Sequence, residues 1–214
     1  MKLFGYWRSS ATYRVRIALN LKRLDYDYEP VNLLAGEQHA PAYKNANPQG
    51  LVPALVTDDG VTLTQSLAII EYLEEAYPEN ALLPSDAVGR AKARGIASTL
   101  ASEAQPFMNL RIQKYLKGDL SLDEDAMQKW LNTWPGGAMG AVEAMLAETS
   151  GDFCIGDEPG LADAFLVPQW FGAARFGVDM TAFPKGNEIF ERGQSHPAFI
   201  KAHPQNQPDA VATS

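Results

Sequence analysis

The sequence predicts a chain in two parts, a small α/β layer domain over residues 1–80 and an all-helical domain over residues 85–214. Three observations predict it. Strand-like and helix-like patterns alternate through the first 77 residues, a proline-containing link follows, and every patterned segment beyond it has helical spacing. Lys2–Tyr6 is a short apolar run, and Val15, Ala18 and Leu19 behind it recur as one face of a helix. Tyr26–Val31, rich in Tyr and Val, is a second strand. Two strands joined through a helix should run parallel, with a right-handed crossover. After a loop or short helix, Val52–Thr57 and Val61–Thr64 form two more strands around the turn Asp58-Asp59-Gly60. Ser66–Tyr77 is a helix with Ile69, Tyr72, Leu73 and Ala76 on one face. Tyr77-Pro78 to Pro84-Ser85 is the link. Helices are expected over 86–117, 123–148, 161–175 and 186–195, punctuated by Gly118, Gly151, Gly156 and Pro184. After His196 the tail, rich in Pro, Gln and Ala, is expected to be irregular or frayed.

Composition narrows the function. The chain has 214 residues, 46% hydrophobic and 21% charged, enough for one good-sized core or two smaller ones. Eighteen basic against 26 acidic residues leave a net charge of −8, which excludes a nucleic-acid binder working by bulk electrostatics. No apolar run approaches the roughly 18 to 20 residues that cross a bilayer, and MKLFGYWRSS turns polar too early for a signal peptide, so no membrane is expected and the cytoplasm is. The single cysteine, Cys154 in D-F-C-I-G, reads as a core residue, and His39, His196 and His203 are too scattered for metal-ligand spacing, so no metal is expected. Residues 1–24 hold Lys2, Arg8, Arg14, Arg16, Lys22 and Arg23 and no acid. Two readings fit that segment: a local anion site, or structural pairing with carboxylates from later in the chain.

Chemistry is expected first at Arg8–Leu19, R-S-S-A-T-Y-R-V-R-I-A-L, which follows a strand and opens a helix. A helix N-terminus presents N–H groups and the positive end of the dipole, and Ser9 and Ser10 add two hydroxyls. An anion, or a thiol needing to become a thiolate, is stabilised at such a point; equally, one serine is simply the N-cap. The second signal is Leu51-Val52-Pro53 followed by Gln65-Ser66 at the start of the next helix. A residue before proline is extended, which leaves the Val52 backbone available to a ligand, and Ser66 heads a second anion-attracting helix start. Two helix starts and a free strand edge suit a small peptide carrying carboxylates.

In this order these segments resemble the zeta class of the glutathione transferases. R-S-S-A-T-Y-R-V-R-I-A-L is similar to the signature of that class, as are N-P-Q-G-L-V-P-A-L at 47–55 and Q-S-L-A-I-I-E-Y-L-E at 65–74. So are L-L-P at 82–84, Q-P-x-x-N-L at 105–110, A-R-F-x-V-D at 174–179 and H-P-x-x-Q-P-D at 203–209. The resemblance implies a glutathione transferase fold: a thioredoxin-like, glutathione-binding domain followed by a helical domain that completes the substrate site. It implies glutathione as cofactor, with Ser9 and Ser10 beside its sulfur and favouring the thiolate. Gln38, Val52, Gln65 and Ser66 are implied to hold the tripeptide, Val52 through its backbone before a cis Pro53. Gln105 and Asn109, four residues apart and so on one face of a helix, are implied to reach in from the helical domain; Arg111 is turned away from that face. Arg8 and Arg175 are implied to bind substrate carboxylates. A homodimer is implied as well.

The implied activity is the cis–trans isomerisation of maleylacetoacetate to fumarylacetoacetate in phenylalanine and tyrosine breakdown, with EC 2.5.1.18-type conjugation as a side activity. A thiolate added to the double bond leaves a single bond that rotates, and its expulsion restores the trans isomer. The alternatives are a maleylpyruvate isomerase, a general glutathione transferase conjugating electrophiles, and a non-catalytic relative of the fold. Two positions depart from the family pattern. Ala11 stands where the family usually has Cys, and Gly160 in G-L-A-D-A-F stands where it usually has Thr or Ser, so Asp163 is left with half of a capping box.

Overall fold

The computed structural model describes residues 1–211 and is organised as two compact units: residues 1–82 together with 195–211, and residues 83–194. The first unit opens with β1 (Lys2–Gly5), α1 (Ser10–Leu21) and β2 (Asp27–Pro30). A single 3₁₀ turn at Glu37–His39 and the short α2 (Pro41–Lys44) lead to β3 (Ala54–Val56), β4 (Thr62–Thr64) and α3 (Ser66–Ala76). The sheet order is β2-β1-β3-β4. As the linking helix requires, β1 and β2 are parallel, with Leu3 opposite Tyr28, while β3 is antiparallel to both β1 and β4. The β3–β4 hairpin turns at Asp58-Asp59-Gly60, where Gly60 has φ +81° and its N–H closes on the Thr57 carbonyl at 3.0 Å. β3 begins two residues later than the apolar run suggested, after a cis Val52–Pro53 bond, so the Val52 backbone lies outside the ladder.

α1 is buried almost all round, from Thr12 to Leu19, and packs against α3. A Cβ on Gly5 would sit 2.3 Å from Thr12 Cγ2, so only glycine lets β1 and α1 approach this closely. The basic N-terminal segment proves largely structural. Arg14, Arg16 and Lys22 are buried, and Lys22 Nζ pairs with Glu74 Oε2 at 2.9 Å.

The tail differs from expectation in being ordered. His196 caps α9 (Pro197–Ala202), its Nδ1 accepting the Ala198 N–H at 3.3 Å, and a 3₁₀ turn follows at Pro204–Asn206. Phe199 and Ala202 are buried, α9 packs against α1, and Arg16 Nε donates to the Ala202 carbonyl at 2.9 Å. These bonds join residues 195–211 to the first unit, and not to the helical one as the expected 85–214 division had it. A polar composition reads as a frayed end because it does not reveal a buried guanidinium nearly 190 residues earlier that needs carbonyl partners.

The second unit contains α4 (Ala87–Thr99), α5 (Leu110–Gly118), α6 (Glu124–Thr149), α7 (Leu161–Arg175) and α8 (Pro184–Ser195). Helix 86–117 was expected to be continuous; it breaks. A π turn at Leu100–Ala104 and a 3₁₀ turn at Gln105–Met108 separate α4 from α5. Pro106 is the cause, since it has no N–H to donate and its ring clashes with the carbonyl four residues back. α7 is the centre of the unit, with every residue from Leu161 to Trp170 buried. At its start Asp163 accepts the Gly160 N–H through Oδ2 and the Cys154 N–H through Oδ1, both at 2.9 Å, which is the surviving half of the capping box. Burial pushes the Asp163 carboxyl up against the pull of those N–H bonds. Cys154 is fully buried and burial raises its thiol well above the ordinary range, so it is a core residue and no nucleophile. Among the described residues no helix is long and apolar enough to cross a membrane, and no cluster of three His, Cys, Asp or Glu is placed to hold a metal.

Candidate active site

Ser9 is the N-cap of α1: its Oγ accepts the Thr12 N–H at 3.2 Å, with the backbone extended at φ −68° and ψ 117°. The two expectations for this residue are compatible. A hydroxyl that accepts a capping bond keeps its own proton to donate. Ser10 is the first helical residue, where the leading N–H groups have no partner within the helix. The turn before it is tight: the Ser9 N–H donates to the Tyr6 carbonyl at 2.9 Å, and the half-buried Arg8 lays its guanidinium 4.2 Å over the Trp7 ring.

The Val52 backbone is positioned from behind. Tyr43 Oη and Asn47 Nδ2 both donate to the Leu51 carbonyl, at 2.6 and 2.7 Å, and Asn47 Oδ1 accepts the Gln49 N–H at 3.1 Å. Burial raises the Tyr43 phenol to about 12, so it stays protonated and a donor. The N-P-Q-G-L-V-P motif is therefore a loop folded on its own Asn, with Val52 at its end.

α3 begins on strained backbone. Gln65 holds φ +69° and ψ 117° at the cap position and forms no side-chain cap bond, so nothing of its own covers the first N–H groups of α3. A non-glycine residue in such a conformation is a pointer to function. Its carboxamide is held instead by Gln49, Nε2 to Oε1 at 2.7 Å. Ser66, the first residue of α3, is buried and its Oγ accepts from Arg14 Nη1 at 3.3 Å. Burial lowers the Arg14 guanidinium to about 9, which leaves it a cation at neutral pH beneath the start of α3. Gln38, on the 3₁₀ turn, has a buried Oε1 with no hydrogen-bond partner among the described residues. A buried acceptor, an uncapped helix start over a buried cation and a hydroxyl at a second helix start fit a peptide with a carboxylate at one end and a thiol at the other.

In the helical unit Gln105 lies in the 3₁₀ turn and Asn109 is the N-cap of α5, its Oδ1 accepting the Arg111 N–H at 3.0 Å. The two do not share a helical face, because Pro106 breaks the helix between them and Asn109 is extended at φ −63°, ψ 143°. Arg175 ends α7, exposed, with its guanidinium 4.7 Å over the Phe176 ring. The sequence reading missed Gln49 and Arg14 as supports for Gln65 and Ser66. Gln49 lay within a quoted motif, and Arg14 carried a signal as a charge flanked by Tyr13 and Val15 on a buried stretch.

Residues 3–81 match the family model described as the glutathione S-transferase N-terminal domain. Over 214 residues the chain is 48% identical to the maleylacetoacetate isomerase of Pseudomonas aeruginosa, covering 99% of this chain and all of that one. It superposes with a TM-score of 0.94 and 44% identity on the holo structure of a bacterial maleylpyruvate isomerase described as a zeta-class glutathione transferase, covering 99% of this chain and 100% of that one. A Methylobacterium extorquens maleylacetoacetate isomerase, solved with bound malonate and glutathione, superposes at 0.92 with 40% identity over 99% of this chain and 100% of that one. The fold is that of a glutathione-dependent transferase. The chain belongs to the glutathione transferase family, and within it to the zeta class.

Proposed function

We propose that the protein is a glutathione-dependent cis–trans isomerase of maleyl dicarboxylates, converting maleylacetoacetate to fumarylacetoacetate in phenylalanine and tyrosine catabolism. The observation that carries this reading is Ser9, whose Oγ is fixed by the Thr12 N–H while its proton stays available at the mouth of a helix. Bound glutathione supplies a thiolate nucleophile that adds to the double bond, permits rotation and leaves again. The chain's own residues do the rest. Ser9 Oγ–H donates to the sulfur, and Ser10, at the positive end of α1, adds to the stabilisation of its charge. Gln65 and Ser66 hold the γ-glutamyl carboxylate at the start of α3, above the Arg14 cation, and the Val52 backbone pairs with the peptide. Gln38 offers its buried Oε1 to a peptide N–H, and on the family resemblance Gln105 and Asn109 are glutathione-binding residues. On the family resemblance, Arg8 and Arg175 are the residues that bind substrate carboxylates.

The malonate held by the Methylobacterium relative is consistent with a dicarboxylate substrate. The likeness to the zeta-class maleylpyruvate isomerase supports a second reading, in which maleylpyruvate is the substrate. We further propose a homodimer in the cytoplasm, on the family resemblance. Absorbance of maleylacetone, followed with and without glutathione, tests the function. Conversion that requires glutathione without consuming it supports the isomerase, and a parallel series with maleylpyruvate ranks the two substrates. Loss of glutathione to an aryl halide, with no isomerisation, replaces the proposal with a conjugating transferase.

A further inference from the structure

The motif H-P-x-x-Q-P-D at 203–209 has no place in the chemistry above, yet it ends on the loop that carries Arg8 and Ser9. Both backbone polar groups of Trp7 are held by side chains. The Trp7 N–H donates to Asp209 Oδ2 at 3.0 Å, and the Trp7 carbonyl accepts from Arg16 Nη2 at 3.1 Å. Tyr28 Oη donates to the same Asp209 oxygen at 3.4 Å, and Arg16 Nε reaches the Ala202 carbonyl at 2.9 Å. Arg16 is fully buried and Asp209 half-buried. Asp209 accepts from Trp7 and Arg16 donates to it, and Arg16 Nη1 and Asp209 Oδ1 are left with no hydrogen-bond partner among the described residues. The arrangement therefore serves the Trp7 peptide groups ahead of a saturated carboxylate–guanidinium pair.

Trp7 is 3% exposed and its ring supports the Arg8 guanidinium at 4.2 Å, and one residue further on Ser9 turns back to Tyr6 and caps α1. A shift of about 1 Å in a catalytic group is enough to cost roughly a hundredfold in rate.

We propose that Asp209 is a positioning residue, through which the C-terminal segment holds Trp7 and so sets the aim of Ser9 and Arg8. The consequence for catalysis rests on the reading that Ser9 faces the glutathione sulfur; the positioning itself does not. The test uses the full chain with Asp209→Ala, Asp209→Asn and Asp209→Glu. Amide hydrogen exchange at Trp7, read by NMR without glutathione, should accelerate at least tenfold in Asp209→Ala while the amides of Val15–Leu19 keep their protection. In the isomerase assay the same variant should lose at least tenfold in kcat, with the KM for glutathione within threefold. Asp209→Asn keeps an acceptor for the Trp7 N–H and should stay within threefold of wild type in both readouts. Asp209→Glu keeps the charge but moves the oxygens by a methylene, and should lower kcat; it carries the test if Asp209→Ala does not fold. Unchanged Trp7 exchange in Asp209→Ala and Asp209→Glu overturns the proposal whatever the activity, as does a common loss of stability in all three variants with kcat intact. Absence of isomerase activity in the wild type, with Trp7 exchange responding as stated, overturns the assignment of function and leaves the positioning standing.

Discussion

Ser9→Ala separates two roles that one oxygen performs. Removing Oγ deletes the acceptor for the Thr12 N–H, a cap whose loss costs about 1 kcal/mol. For a chain of this size that lowers Tm by roughly 2 to 4 °C. It also deletes the hydroxyl proton proposed to face the thiolate. A hydrogen bond to a charged group contributes about 1.5 to 3 kcal/mol, and at about 1.4 kcal/mol per factor of ten the loss in turnover is roughly 12- to 150-fold. The activity effect thus outweighs the stability effect, and the enzyme should be folded and slow. The assay is glutathione-dependent isomerisation of maleylacetone beside thermal unfolding. Ser9→Asp separates the roles further: a carboxylate still caps α1, so Tm should hold, but it offers no proton and places a negative charge against the thiolate, so turnover should fall further than in Ser9→Ala. Turnover within threefold of wild type in Ser9→Ala, with Ser10→Ala inactive, would refute the reasoning and assign the thiolate to Ser10.

Arg175→Ala should raise the KM for a dicarboxylate at least fivefold and leave a neutral conjugation substrate little changed; equal losses on both, read from steady-state kinetics, would make Arg175 structural. Asp163→Ala leaves the N–H groups of Cys154 and Gly160 without their acceptor, at about 1 to 3 kcal/mol each. Denaturant unfolding should show a loss of about 2 to 6 kcal/mol, with Asp163→Asn in between because it retains one oxygen. His203 is lowered by burial and then by the Arg16 charge, so the folded state binds its proton less readily than the unfolded state does. Its contribution to stability is therefore complete above pH 6.5 and is lost as pH falls below that value. The urea midpoint should decline between pH 7 and pH 5, and less steeply in His203→Gln.

Local signals were enough for much of the architecture. The parallel β1–β2 pair, the Asp58-Asp59-Gly60 turn and the cap at Ser9 each depend on a few adjacent residues whose preferences agree with the fold. The start of α3 was legible for the same reason, although the strained Gln65 backbone was not, since no residue type announces a positive φ outside glycine and asparagine. Helix 86–117 was misjudged where the apolar period continued through Pro106, and one missing N–H outweighed the period.

What the sequence determined by itself was the family, the order of the elements and the positions at which helix starts present hydroxyls, because each follows from neighbours within a few residues. Tertiary structure alone decided which charges are supports and which face outward. Arg14, Arg16 and Arg8 are alike in composition, but the first is buried beneath Ser66, the second is buried between Trp7 and Ala202, and the third lies over the Trp7 ring. It also decided that a polar tail is anchored and that Asp209 meets Trp7 across 202 residues of chain. A buried polar group must find a partner wherever the fold supplies one, and that partner's distance along the chain leaves no mark in local pattern.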